Sequence, residues 1–330
     1  MSRTNLWVLR IGCVALLVAL PFVIGPFWLQ MMILALIYSL VVYSINVLTG
    51  FCGLLSFGQA GFVGAGAYAY GVLSVANVPI FICVLTGLAL PTVLGLLLGL
   101  PAARLKGHYL AIGTLGFGVL GAQMLNNMVD ITRGPMGLLG IQSVGFDRMT
   151  WYYVMLAVSL SLMFGLNVLE RRTFLGVMLK SVKYDEIAAG ACGMTTLGVK
   201  LLAFCSSAFL AGLCGVFLAA YMRFLTPDLF VPTESFRYLM MAVVGGAGSA
   251  TGGFIASLLL TAVPELLRSL GETNLRLLVY GVMVLFVLWF VPGGIGGLLD
   301  RMIGNRSRLV PARPEADDAT AITAAGVKEA

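Results

Sequence analysis

The chain has 330 residues, of which 60% are hydrophobic and 10% charged, with a net charge of +6 and a mean hydropathy of +1.00. Soluble domains carry about 25% charged residues, so this chain lacks the polar surface to cover a water-soluble core, and an all-α polytopic membrane protein is expected. No patch of interleaved basic and aromatic residues accompanies the positive charge, which argues against nucleic acid as a partner and leaves membrane orientation as its meaning.

Crossing a bilayer takes about 20 mostly apolar residues in a helix. Such runs fall in order at 6–24, 28–49, 60–77, 79–100, 109–128, 151–169, 200–221, 236–248, 253–270 and 275–291. They predict a transmembrane helical bundle of about ten spans. The first run follows Arg3 and Arg10, in the manner of a secretory signal. No small-x-small cleavage site comes after it, so an uncleaved span is expected. The run 236–248 is too short to cross alone and is expected to pair with 253–270 as a broken or re-entrant unit. With the N-terminus inside, the inner segments 1–10, 101–108, 170–200 and 300–330 hold 14 Lys/Arg and 8 Asp/Glu, against 6 and 6 outside. That one-sided basic excess predicts that both termini are cytoplasmic. Residues 1–300 then form one transmembrane domain with a cytoplasmic segment at 170–199. Residues 301–330, rich in Pro, Ala and Asp, form a flexible cytoplasmic tail, with Arg301, Arg306 and Arg308 near anionic lipid.

Polar and small residues interrupt this pattern at a few places. In LLSFGQAGFVGAGAYAYGV (54–72), Gly61, Ala65 and Ala69 recur every four positions and suit close helix packing. Ser56 and Gln59 are not explained that way. An amide inside a span seeks a partner helix or a polar path, and the functional reading is a helix broken near 50–62. Ser56, Gly58, Gln59 and Gly61 would then border a translocation path. The segment 128–141 holds Asp130, Arg133 and Gly134 before a Pro, which signals a turn or a contact for an external partner. Within 170–200, Leu175, Met178, Leu179 and Val182 share one helix face while Lys180, Lys183 and Glu186 share another, predicting an amphipathic helix at the inner surface. The small residues 188–193 that follow end at Gly193, a C-terminal break. Tiny side chains let another protein's surface come close, so this segment is expected to be a docking helix. In 200–221, Ala208, Gly212, Gly215 and Ala219 line one packing face. In VVGGAGSATGGF (243–254), Gly245, Gly246, Gly248 and Ser249 interrupt a helix, and irregular backbone at membrane depth needs protein or water around it. A Gly-interrupted segment in each half of a chain points to a central binding site.

No catalytic set is present. His108 is the only histidine and has no Cys or carboxylate cluster for a metal site. The cysteines, at 13, 52, 83, 192, 205 and 214, form no C-x-x-C and read as small apolar residues. The glycine clusters lack a Gly-Lys-Ser/Thr ending, so neither nucleotide nor other cofactor is expected. No carboxylate lies mid-span to bind a coupling ion. That disfavours a gradient-driven carrier and favours an external motor.

Five stretches, NVLTGFCGLLSFGQAGFVGAGAYA (46–69), RLKGHYLAIGTLGFG (104–118), NNMVDITRGPMGLLGI (126–141), the whole of 174–219, and GGAGSATGGFIASLLL (245–260), resemble the permease subunits of ATP-binding-cassette importers for branched-chain amino acids. The R-L-K-G-x-Y-L-A-I and T-R-G-P-x-G stretches look like the longer of the two paired permeases. The resemblance implies an inner-membrane protein paired with a second homologous permease, two cytoplasmic ATPase subunits and a periplasmic binding protein. It implies that 185–193 is the coupling helix, with Lys183, Asp185, Glu186, Ala188, Ala189 and Gly193 toward an ATPase, and Asp130, Arg133 and Gly134 toward the periplasmic partner. Gly190 stands where the family usually has a charged or long polar residue, and His108 where an acid or Asn is common. Related permeases carry Leu, Ile and Val, other amino acids, urea, short amides or aromatic acids.

Overall fold

The computed structural model describes residues 16–22, 24–105, 107–142, 144–266, 281, 282, 285, 289 and 293–302. Most of the expected first span, the expected last span and nearly all of the tail lie outside them. The described chain is helical almost throughout. Its main elements are α1 (Pro26–Ile45), α2 (Gln59–Val75), α3 (Ile80–Ala102), α4 (His108–Asn127) and α5 (Arg148–Arg172), then the short pair α6 (Phe174–Tyr184) and α7 (Glu186–Ala191). α8 (Thr196–Met222), α9 (Pro232–Gly245), α10 (Ala250–Leu266) and α11 (Gly294–Met302) follow.

Among the described residues, five helices are long and apolar enough to cross a membrane: α1 with its extension to Phe51, α3, α4, α5 and α8. Three further runs read as spans are shorter helices. α2 has 17 residues and α9 has 14, so at 1.5 Å per residue they cover about 25 and 21 Å, less than a hydrocarbon core of about 30 Å. α10 also has 17. Each adjoins a break in regular structure, as expected at 50–62 and 243–254. The chain is irregular from Cys52 to Gly58 and again from Gly246 to Ser249.

α1 and α8 form the enclosed centre, while α3, α4 and α5 expose apolar faces such as Phe81, Leu97, Leu120 and Phe164. The small-residue stripe of α8 packs as expected. A Cβ on Gly215 would strike the backbone of Val63 and Ala67, and one on Gly212 would lie 2.5 Å from Pro91 Cγ. The expected ridge on α2 does not make this contact. Ala65 and Ala69 are only half-buried, and Gly66 instead meets the Gly212 backbone, with its virtual Cβ 2.8 Å from Gly212 Cα. Two glycines face each other there, so backbone meets backbone, the geometry that small residues allow in lipid.

At one end of the bundle the loops before α5 and after α8 join in a two-residue antiparallel ribbon. Leu138 pairs with Leu225 and Leu139 with Phe224. Before it, Thr132 Oγ1 donates to the Leu125 and Met128 carbonyls, and Gly134 N donates to Thr132 Oγ1.

Candidate functional site

The two breaks meet. At its end α1 widens into π-helical bonding over Asn46–Phe51, and the chain then runs irregularly to α2. Thr49 Oγ1 donates to the Leu54 carbonyl (3.0 Å), and Phe57 N donates to Thr114 Oγ1 of α4 (3.0 Å). These bonds satisfy backbone groups that lipid could not. In the second break, Gly246 and Gly248 have φ of +96°, a region that side chains with a Cβ avoid. Asn46 bridges the two. Its Oδ1 accepts from Gly248 N (3.1 Å), and its Nδ2 donates to the Ser249 carbonyl (3.4 Å). Gly50 packs on the same spot, its virtual Cβ 2.6 Å from Gly248 Cα. Sequence reasoning missed Asn46 and Gly50. The available signal was an amide within an apolar run, followed four residues later by glycine.

The first break also follows α9. Ala60 N donates to Ser235 Oγ (2.9 Å), the Phe57 and Phe236 rings lie 4.8 Å apart, and Gly50 reaches Gly248 past the far end of α9. Residues 50–60 thus run antiparallel to α9. Leu55, Phe236 and Met240 leave an apolar face exposed beside them.

The predicted path residues separate into two groups. Gly245, Gly246, Gly248 and Ser249 sit at the meeting of the breaks, and Ser249 Oγ accepts from Gly252 N (3.2 Å), capping α10. Ser56 is buried, Gly58 faces the Thr114 carbonyl, and Gly61 faces the Phe117 ring. Gln59 is fully buried. Its Oε1 lies 2.9 Å from Ser44 Oγ, which also approaches the Ser207 carbonyl at 2.8 Å with one proton to share, and its Nε2 donates to Ser207 Oγ at 3.0 Å. The amide has found partner helices, α1 and α8. Gln59→Leu should therefore lower stability by about 1–3 kcal/mol, the usual cost of orphaning buried polar groups. A thermal midpoint in detergent equal to the parent's would show that the network contributes nothing.

The charged platform is built from α6 and α7. Thr173 caps α6, accepting from Gly176 N at 3.3 Å. Its buried side is Gly176, Leu179 and Val182. This side is rotated from the expected face, because Leu175 is exposed and Gly176 presses on the Leu169 and Glu170 backbone. Asp185 caps α7, its Oδ1 accepting from Ile187 N (2.9 Å) and Ala188 N (3.0 Å), as short polar side chains do at helix starts. At the other end Gly193 N and Met194 N donate to the Gly190 and Ala189 carbonyls, closing the helix at the expected residue.

Several platform residues turn inward. Lys183 is exposed as a whole, but its stem lies against Gly53 and its Nζ donates to the Gly50 carbonyl at 2.6 Å. Partial burial, with Lys180 nearby, lowers the Lys183 pKa from its ordinary value, while Glu170 and Cys52 oppose the shift. Glu186 pairs with buried Lys200 at 2.6 Å, and Lys200 also donates to the Ala103 carbonyl (3.3 Å). Lys180 pairs with Glu170 at 3.1 Å. Ala189 is 4% exposed and packs inward. Glu186 and Ala189, expected as partner contacts, thus hold the platform to its own bundle. The outward surface is Tyr184, Ile187 (81% exposed), Ala188 and Gly190 to Gly193.

At the ribbon end, Asp130 and Arg133 are exposed as expected of a contact. Gly134 is buried, and its virtual Cβ would lie 2.7 Å from the Asn126 carbonyl. It serves the turn rather than a surface. Met136, 85% exposed, stands beside Asp130 and Arg133 in the chain.

Long apolar helices, touching glycine breaks with bonded polar backbone, and a charged platform tied to one break define a helical membrane transport protein of the permease type. The chain belongs to the family described as branched-chain amino acid transport system / permease component, which matches residues 27–288. It is 33% identical over 310 residues to the high-affinity branched-chain amino acid transport system permease protein LivM of Escherichia coli (strain K12), covering 84% of this chain and 72% of that protein. The LivM protein of Salmonella typhimurium (strain LT2) is 33% identical over 303 residues, covering 82% and 71%. No solved structure matches the chain.

Proposed function

We propose that this chain is the longer of two permease subunits in an ATP-binding-cassette importer for branched-chain amino acids. It lies in the bacterial inner membrane with both termini cytoplasmic. The observation that carries the reading is the Lys183–Gly50 hydrogen bond (2.6 Å), which joins a partner-sized platform directly to a helix break. Two cytoplasmic ATPases supply the energy, one docking on Tyr184, Ile187, Ala188 and Gly190 to Gly193. Lys183, Asp185, Glu186 and Ala189 hold that surface level. A second, homologous permease stands opposite the apolar face of Leu55, Phe236 and Met240, and the path runs between the two subunits. Ser56, Gly58, Gln59 and Gly61, buried against this chain's own helices, back the wall of the path rather than line it, and Gly245, Gly246, Gly248 and Ser249 set the hinge next to it. A periplasmic binding protein docks at Asp130, Arg133 and Met136.

The test is co-purification. Ile187→Asp with Ala188→Arg should remove the ATPases from the solubilised complex while leaving this chain in the membrane, since Ile187 and Ala188 face outward. ATPase recovery at the parent level would sink the docking surface. Leucine uptake by proteoliposomes holding the complete complex, ATP and the loaded binding protein tests the substrate.

A further inference from the structure

One charged cluster lies away from both the platform and the breaks' meeting point. On α9, Arg237 Nη1 lies 3.2 Å from Glu234 Oε2, with both side chains partly exposed. The guanidinium stands over the Tyr38 ring at 5.5 Å, and Tyr38 packs on Tyr238 at 5.6 Å. Tyr38 lies twelve residues into α1, about 18 Å from the Pro26 end at 1.5 Å per residue. An ion pair beside it lies inside the span region, which corrects two expectations: the charge count placed Glu234 and Arg237 outside, and no mid-span carboxylate was read from the sequence. Charges at that depth are costly and are kept where they line a polar route.

The neighbours fit such a route. Ser235, between the two charged residues, holds the start of α2 through Ala60 N. Phe236, also between them, stacks near Phe57 of the first break and is exposed, as is Met240 one turn on. Glu234 and Arg237 share one half-buried face of α9, and exposed Phe236 and Met240 lie on the face that adjoins Arg237.

We propose that Glu234 and Arg237 form a transit site for an α-amino acid zwitterion. Arg237 receives the carboxylate, Glu234 the ammonium, and Phe57, Phe236 and Met240 the aliphatic side chain. A guanidinium matches a carboxylate in two parallel bonds, and an aliphatic side chain gains by leaving water. The inference rests on the amino acid reading of the permease and specifies where this subunit meets its cargo.

The experiment uses the complete complex in proteoliposomes with leucine-loaded binding protein at saturation. Glu234→Gln with Arg237→Met should cut leucine uptake about tenfold or more, the loss expected for charge-assisted bonds. Binding-protein-stimulated ATP hydrolysis should stay within about twofold, because the platform is untouched. A structural role would lower both activities together or neither. Uptake and hydrolysis falling in parallel, or uptake near the parent level, would overturn the site. If the double variant fails to assemble, Arg237→Lys provides the second reading. It keeps the charge but loses the bidentate fork, and uptake should fall several-fold with hydrolysis retained, whereas uptake at the parent level again overturns the site. A parent complex that hydrolyses ATP but takes up no leucine would sink the amino acid reading, and this ligand with it.

Discussion

Gly50→Leu should abolish uptake and lower the stability of the protein. Gly50 sits where the first break touches the second, and a Cβ there would meet Gly248 N and Cα and lie 3.3 Å from the Ala247 carbonyl carbon. All of these are backbone atoms, and backbone on the far side is held by Asn46 through Gly248 N and the Ser249 carbonyl. Neither side can swing aside as a flexible side chain would. Overpacking a close contact costs about 1–3 kcal/mol, and here the added strain falls on the hinge itself. Gly165→Ala is the control. Nothing lies within 4 Å of a Cβ at Gly165, so alanine in that helix should be neutral or gain up to about 1 kcal/mol. Thermal unfolding in detergent, paired with uptake in proteoliposomes, reads both. Gly50→Leu transporting at the parent rate would show that the two breaks need not touch.

Lys183→Met should separate ATP hydrolysis from transport. The ammonium gives the Gly50 carbonyl its charged partner at 2.6 Å, while the stem lies along Gly53, whose virtual Cβ would be 2.9 Å from Lys183 Cγ. Methionine keeps the stem and its packing and removes only the charged bond. Charge-assisted hydrogen bonds contribute about 1.5–3 kcal/mol, so the platform stays folded through its other ties but no longer pulls on the break. The ATPases should co-purify normally and hydrolyse ATP, and leucine uptake should fall about tenfold or more, in line with that bond energy. Parent-level uptake would move the coupling route elsewhere in the platform.

Much of this arrangement could be read from residues close in sequence. Glycine at 245, 246 and 248 marks the second break and Gly193 the end of α7, but the spacing reads one helix through Lys180, Lys183 and Glu186, whereas the extended Asp185 caps α7 and splits it from α6. Those features are local, because turns and caps are set by a few neighbouring residues. The remainder depends on pairings across the fold. Gln59 reads as a polar lining until Ser207, 148 residues away, takes its amide. Glu186 reads as a partner contact until Lys200 takes its carboxylate. Periodicity groups Leu175 with Leu179 and Val182 on one face, yet Gly176 lies close to the Leu169 carbonyl and joins Leu179 and Val182 on the buried side, while Leu175 is exposed. Helical spacing shows which residues share a face but not which neighbour that face meets.

The three platform ties, Lys180–Glu170, Lys183–Gly50 and Lys200–Glu186, also bear on how the chain is made. The Gly50 carbonyl belongs to an early stretch of the polypeptide, and its charged partner is synthesised 133 residues later. The other partners of the first break, Ser235, Gly248 and Ser249, are made later still, so the break gains these long-range ties only after more than half of the chain has been synthesised.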